Sequence, residues 1–127
     1  MKIEINFSTL IIFVRDVNKL KVFYAEILEL EIIEEIPGEW VALKAGNCQI
    51  ALHKIGSQHA TPGDDFKVDN NTKVVFETDE DIFKLREHLL KKKVTLREIK
   101  TFENYNYRLC DGEDPEGNVF QFKQRKS

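Results

Sequence analysis

The hydrophobic pattern of the chain changes period several times, and the changes recur in the same order. Residues 7–14 are an apolar, β-branched run bounded by Arg15-Asp16, which predicts a buried strand. Beyond Asp16 the apolar positions shift to Val17, Leu20, Tyr24, Ile27 and Leu28, one face of an α-helix, with Asp16 or Asn18 placed to cap it. A short strand over 31–36 is stopped by Pro37-Gly38, and strands over 40–43 and 48–53 flank the turn Lys44-Ala45-Gly46-Asn47. From 54 to 71 no period holds, and Gly56, Pro62 and Gly63 mark a linker.

The order then starts again. Residues 73–77 predict a strand, and Thr78-Asp79-Glu80-Asp81 resembles a capping box with Thr78 as the cap. Ile82, Leu85 and Leu89 form the apolar stripe of a second helix, whose acidic start and Lys91-Lys92-Lys93 end both suit the helix dipole. Strands follow over 94–99, 105–111 and 119–122, the last two joined by the turn Asp114-Pro115-Glu116-Gly117-Asn118. The chain is therefore β-α-β-β-β twice over: module one 1–55, linker 56–71, module two 72–127, an internal repeat within one domain. The fold class is α+β, two tandem modules forming a curved mixed sheet around a cleft. One helix covers only one face of each small sheet. The other face needs the sister module, a partner chain or a ligand.

Composition narrows the function classes. The 127 residues are 42% hydrophobic, enough for one core, and 19 Lys and Arg against 22 Asp and Glu leave a formal charge of −3. That balance argues against a nucleic-acid binder. The longest apolar run, residues 10–14, falls far short of the ~20 needed to cross a bilayer. Cys48 and Cys110 are neither a disulfide framework nor a metal knuckle, and the first residues lack the apolar core of a secretion signal. A cytoplasmic protein is expected.

Phe13-Val14-Arg15-Asp16-Val17 followed by Phe23-Tyr24, and Asp114-Pro115-Glu116-Gly117-Asn118 before the last strand, carry a resemblance. In both, the chain is similar to the vicinal oxygen chelate superfamily of glyoxalases, extradiol dioxygenases and bleomycin-resistance proteins, over essentially its whole length. It departs from that pattern where Leu28-Glu29-Leu30 lacks a glycine after the first helix. The resemblance implies metal ligands on the first and last strands of each module. Matched by distance from the motifs, these positions fall on Thr9, Ala51, Lys73 and Gln121. Alanine carries no ligand atom, an ammonium repels a cation, and a lone amide does not hold a transition metal against water. His53 shares strand parity with Ala51 but is a single imidazole. Neither a metal nor any other cofactor is expected.

The remaining candidates are weighed singly. His53 is either a hydrogen-bonding group or general base in the cleft, or a strand-end residue in solvent. Lys73 and Glu77 share a strand face. Lys73 either binds an anion or neutralises Glu77 or another acid. Arg108 and Cys110 share a face, where Arg108 is a candidate carboxylate clamp and Cys110 is either an activated thiolate or a buried apolar residue. Ile11, Phe13, Trp40 and Phe102 are candidates for an apolar pocket, with Trp40 or Phe102 stacking on a planar ring. His59 and His88 read as surface residues.

The ligand-binding candidates are thus Thr9, Trp40, His53, Lys73, Glu77, Arg108 and Gln121. The expected function, by resemblance to bleomycin-resistance proteins, is metal-independent binding of a small apolar or aromatic, possibly anionic, compound by a homodimer. The alternatives are a metal-dependent glyoxalase-like lyase or dioxygenase, and a non-catalytic dimeric interaction protein.

Overall fold

A computed structural model describes residues 2–56, 67 and 72–126. The chain forms two compact units, Met1–Pro62 and Gly63–Ser127. The stretch read as a linker lies outside the described residues apart from Gly56 and Lys67.

The first unit runs β1 (Thr9–Val14), α1 (Val17–Lys21), β2 (Glu31–Ile36), β3 (Trp40–Ala45) and β4 (Cys48–Lys54), with sheet order β1-β4-β3-β2. β1 lies parallel to β4, and the other pairs are antiparallel. Asp16 caps α1, accepting from Lys19 N–H at 3.0 Å. The predicted helix is α-helical only to Lys21. Val22–Ile27 continues it as a π-helical turn closed by Leu28 N–H on the Phe23 carbonyl. Consecutive Phe23 and Tyr24 are both buried there, with their rings edge to face at 5.0 Å. The core is Val14, Val41, Leu43, Ile50 and Leu52 from one sheet face, with Val17 and Leu20 from the helix.

The second unit repeats the order: β5 (Val74–Glu77), α2 (Ile82–Lys91), β6 (Thr95–Leu96), β7 (Lys100–Thr101), β8 (Tyr107–Glu113) and β9 (Val119–Arg125). The sheet runs β5-β9-β8-β6, with β7 also on β8 and β5 parallel to β9. Of the strand expected over 94–99 only Thr95–Leu96 forms, and a second short piece, Lys100–Thr101, lies beyond it.

The cap of α2 corrects the sequence reading. Asp81, not Thr78, takes the Phe83 and Lys84 N–H groups, at 2.9 and 3.4 Å, while the Thr78 hydroxyl accepts only from Glu80 N–H. At its other end Lys93 N–H bonds the Leu90 carbonyl and Val94 N–H the Leu89 carbonyl, a Schellman ending. The core between helix and sheet is Ile82 and Leu89 from α2 with Cys110, Phe120 and Phe122 from the strands. Gln124 ties sheet to helix by accepting from Ile82 N–H at 2.9 Å. The turn before β9 is organised by buried Asp114, whose carboxylate takes the Glu116 and Asn118 N–H groups and the Asn118 side-chain amide.

Candidate functional site

Strand alternation sends every second residue of the first sheet away from its helix, and the register groups those residues into rows. Phe13, His53, Trp40 and Ile36 stand side by side across β1, β4, β3 and β2. The next row is Ile11, Ala51, Ala42 and Glu34, and beyond it Thr9, Gln49, Lys44 and Glu31. The His53 ring lies 5.3 Å from that of Phe13 and 5.6 Å from that of Trp40. The indole N–H of Trp40 donates to Glu34 Oε1 at 2.7 Å, which fixes the ring's orientation.

Phe13 is 55% exposed and Ile36 58%, whereas Ala51 is fully buried. The face is therefore an apolar, aromatic ridge beside a floor of small side chains. Hydroxyl, amide and ammonium groups stand along its other side. Strand parity had placed His53 with Ala51, and the structure adds that its ring stands between two others. Glu34, which holds Trp40, was missed, because an acidic residue on an edge strand carries no signal in the sequence.

The open face of the second sheet is polar. Lys73 Nζ lies 2.9 Å from Asp111 Oδ2, and Gln121 Nε2 donates to Asp111 Oδ1 at 2.9 Å. Lys73 thus neutralises an acid, but the acid is Asp111 and not Glu77. Glu77 is exposed and pairs in register with Lys123. Burial raises the Asp111 pKa, but hydrogen bonds from Lys73 and Gln121, with the charges of Lys73 and Lys100, outweigh that and hold it below the ordinary 3.8. Asp111 was missed although a signal existed. Counting outward equally from Glu116, the centre of the last turn, sets Asp111 opposite Gln121.

Arg108 is separated from these residues by the sheet itself. Its guanidinium lies 5.9 Å from the Phe83 ring centroid on α2, on the helix-covered side with Cys110. Cys110 is buried, and burial pushes its thiol pKa above 9.0 against the opposing influence of Arg86, not of Arg108. It is a protonated core residue. Phe102 belongs to the second unit and is exposed, as is His88, while His59 lies outside the described residues.

The four positions matched to metal ligands do not fit a divalent cation. The Thr9 hydroxyl is paired with that of Ser8 at 2.8 Å, Ala51 offers a methyl, and the Lys73 ammonium and Gln121 amide nitrogen are both engaged with Asp111. Among the described residues, no three His, Cys, Asp or Glu side chains gather where they could hold a metal ion.

The duplicated β-α-β-β-β units, each with one sheet face left open by its helix, have known counterparts. The family model of the Glyoxalase/Bleomycin resistance protein/Dioxygenase superfamily matches residues 6–122, and the chain belongs to that superfamily. Its structure is similar to lactoylglutathione lyase from Agrobacterium tumefaciens, with TM-score 0.73, 15% identity and coverage of 97% of this chain and 96% of that one. It is also similar to TnmS3, an antibiotic-binding protein from Streptomyces sp. CB03234, with TM-score 0.74, 21% identity and 99% coverage of both chains. An integron cassette protein from V. cholerae gives TM-score 0.71 at 24% identity, covering 98% of this chain and 97% of that one. At these identities the likeness is one of fold. No curated protein matches the sequence.

Proposed function

We propose that the chain is a metal-independent binding protein for a small apolar or aromatic compound, one bearing an anionic group included, and that it works in the cytoplasm as a homodimer. The fold alone does not choose, since one similar structure is a lyase and another an antibiotic-binding protein. The observation that carries the proposal is the row of Phe13, His53 and Trp40, in which the first two are exposed and Trp40 is half-buried. A water-facing line of rings costs solvation that a flat ligand relieves, and each ring–ring contact adds about 0.5–1.5 kcal/mol beyond the area covered. Thr9, Gln49 and Lys44 provide hydrogen bonds and a positive charge for a polar substituent. Lys73, already paired with Asp111, is less suited to an anion than Lys44.

Trp40 is the single tryptophan, so its fluorescence reports on this face. Titration with 2-naphthoate is expected to give saturable quenching, unchanged by EDTA and weakened about tenfold in Phe13→Ala, a loss of roughly 1.4 kcal/mol. Quenching that disappears with EDTA and returns with Zn²⁺ or Ni²⁺ overturns the metal-independent part. No saturable quenching by 2-naphthoate or by uncharged 2-naphthol overturns the site.

A further inference from the structure

Beyond Asp111 the open face of the second sheet turns basic and aromatic. The register sets Leu109 between Lys123 on β9 and Lys100 on β7, and sets Tyr107 beside Arg125. Strand parity puts all five on the face that holds Asp111 and Gln121, away from α2. The Lys123 ammonium lies 4.3 Å from the centre of the Tyr107 ring, and the Tyr105 ring stands 5.3 Å from that of Tyr107. Charge is matched elsewhere on this sheet, where Lys73 pairs with Asp111 and Arg97 with Glu113. Among the described residues, Lys100, Lys123 and Arg125 form no ion pair, although Glu77 stands opposite Lys123 in register. The chain as a whole carries a formal charge of −3, so three uncompensated cations in one patch run against its own balance. Lys123 is half-buried, and its contact with the ring face leaves the three ammonium donors without an acceptor.

We infer that this patch is a second binding site, for a small planar aromatic compound that carries a phosphate group. It goes beyond the reading of the first unit and does not depend on Phe13, His53 and Trp40. A phosphate monoester brings a charge of about −1.5 to −2 and three acceptor oxygens, which a cluster of three cations matches and a single carboxylate does not. The Arg125 guanidinium can take two of those oxygens at once, and the Lys123 ammonium is already held in place against Tyr107. Half-buried Leu109 lies between the two lysines and keeps part of the site from water, so screening there is weaker than on an open surface. The aromatic part of the ligand belongs on Tyr105, which is 41% exposed, because the ammonium occupies the Tyr107 face.

The test follows backbone amide shifts of the isotope-labelled full chain by NMR, while Trp40 fluorescence reports on the first unit. Titration with 2-naphthyl phosphate is expected to shift the Tyr105, Tyr107, Leu109 and Lys123 amides saturably. Binding there is expected to be roughly tenfold tighter than that of inorganic phosphate. Lys123→Gln and Arg125→Gln, each with unchanged circular dichroism, are expected to weaken it roughly tenfold apiece. Tyr105→Ala is expected to bring it down to the level of inorganic phosphate. The Trp40 response to 2-naphthol is expected to be the same in the parent and all three variants. Shifts that are absent or confined to the first unit overturn the site, as does an affinity that neither glutamine substitution changes. Inorganic phosphate binding as tightly as the naphthyl ester overturns the aromatic part, and 2-naphthoate binding as tightly overturns the phosphate part. None of these outcomes bears on the first site, which Trp40 quenching tests by itself.

Discussion

Lys73 Nζ and Asp111 Oδ2 meet at 2.9 Å across β9, which lies between the strands that frame them, and Gln121 on β9 completes the link. The pair sits on the sheet face turned away from α2, with the Lys73 side chain 41% exposed and that of Asp111 26% exposed. Solvent screening therefore keeps its contribution near the surface range, about 0.5–1 kcal/mol. Because folding lowers the Asp111 pKa, the contribution is fully present above the ordinary 3.8 and is lost as pH falls through the folded value. The stability difference between the parent and Asp111→Asn is expected to be constant near neutrality and to shrink on acidification below that point. Urea denaturation over a pH series checks this, and a difference that grows towards low pH contradicts it.

Gly112 is a close-packed point of the second core. It lies on the helix-covered face of β8, and a β-carbon there would stand 2.6 Å from Leu96 Cδ2 and 2.6 Å from the Phe120 ring. The Leu96 methyl can swing aside, but Phe120 is packed within the core. Gly112→Ala is expected to destabilise the fold by about 1–3 kcal/mol, as overpacking does. Thermal unfolding of the variant checks it.

The cap of α2 separates two residues that the sequence alone could not. Asp81→Ala removes the acceptor of the Phe83 and Lys84 N–H groups and is expected to cost about 1 kcal/mol. Thr78→Ala is expected to cost only a few tenths of that, since the Thr78 hydroxyl serves a turn ahead of the helix. Equal losses in chemical denaturation would return the capping role to Thr78.

The repeat of β-α-β-β-β was legible because each period change coincides with turn residues, whereas the apolar run over 7–14 reads as a buried strand and yet leaves Ile11 and Phe13 exposed on the face turned away from α1. What stayed hidden depended on partners distant in sequence. Asp81 and Thr78 both belong to the local chemistry of a helix start, and only the direction of the chain into α2 decides between them. Arg108 looked like a ligand clamp because it is a cation on a strand, yet the parity that joins it to Cys110 also places it under the helix. The pairing of Trp40 with Glu34 spans a bulge near Ile32 and Glu34, where alternation stops predicting which side a residue takes.

The missing glycine after the first helix has a measurable consequence. Glu29 stands there at φ 61°, in the left-handed region where a β-carbon crowds the backbone, and Lys93 repeats the situation after α2 at φ 65°. Both follow helix C-termini, the position at which glycine is the usual occupant. Replacing either by glycine relieves the steric cost, at some loss through the greater freedom of the unfolded chain. The balance is expected to stabilise Glu29→Gly and Lys93→Gly by about 0.5–1 kcal/mol each. Glu29 and Lys93 are both exposed, so lost packing contributes little to either change. The two residues lie in different units, so their effects are expected to add in the double variant. Urea midpoints of the two single variants and the double variant measure this. A destabilised Glu29→Gly would mean that the glutamate side chain stabilises the π-helical ending by more than the strain of its backbone.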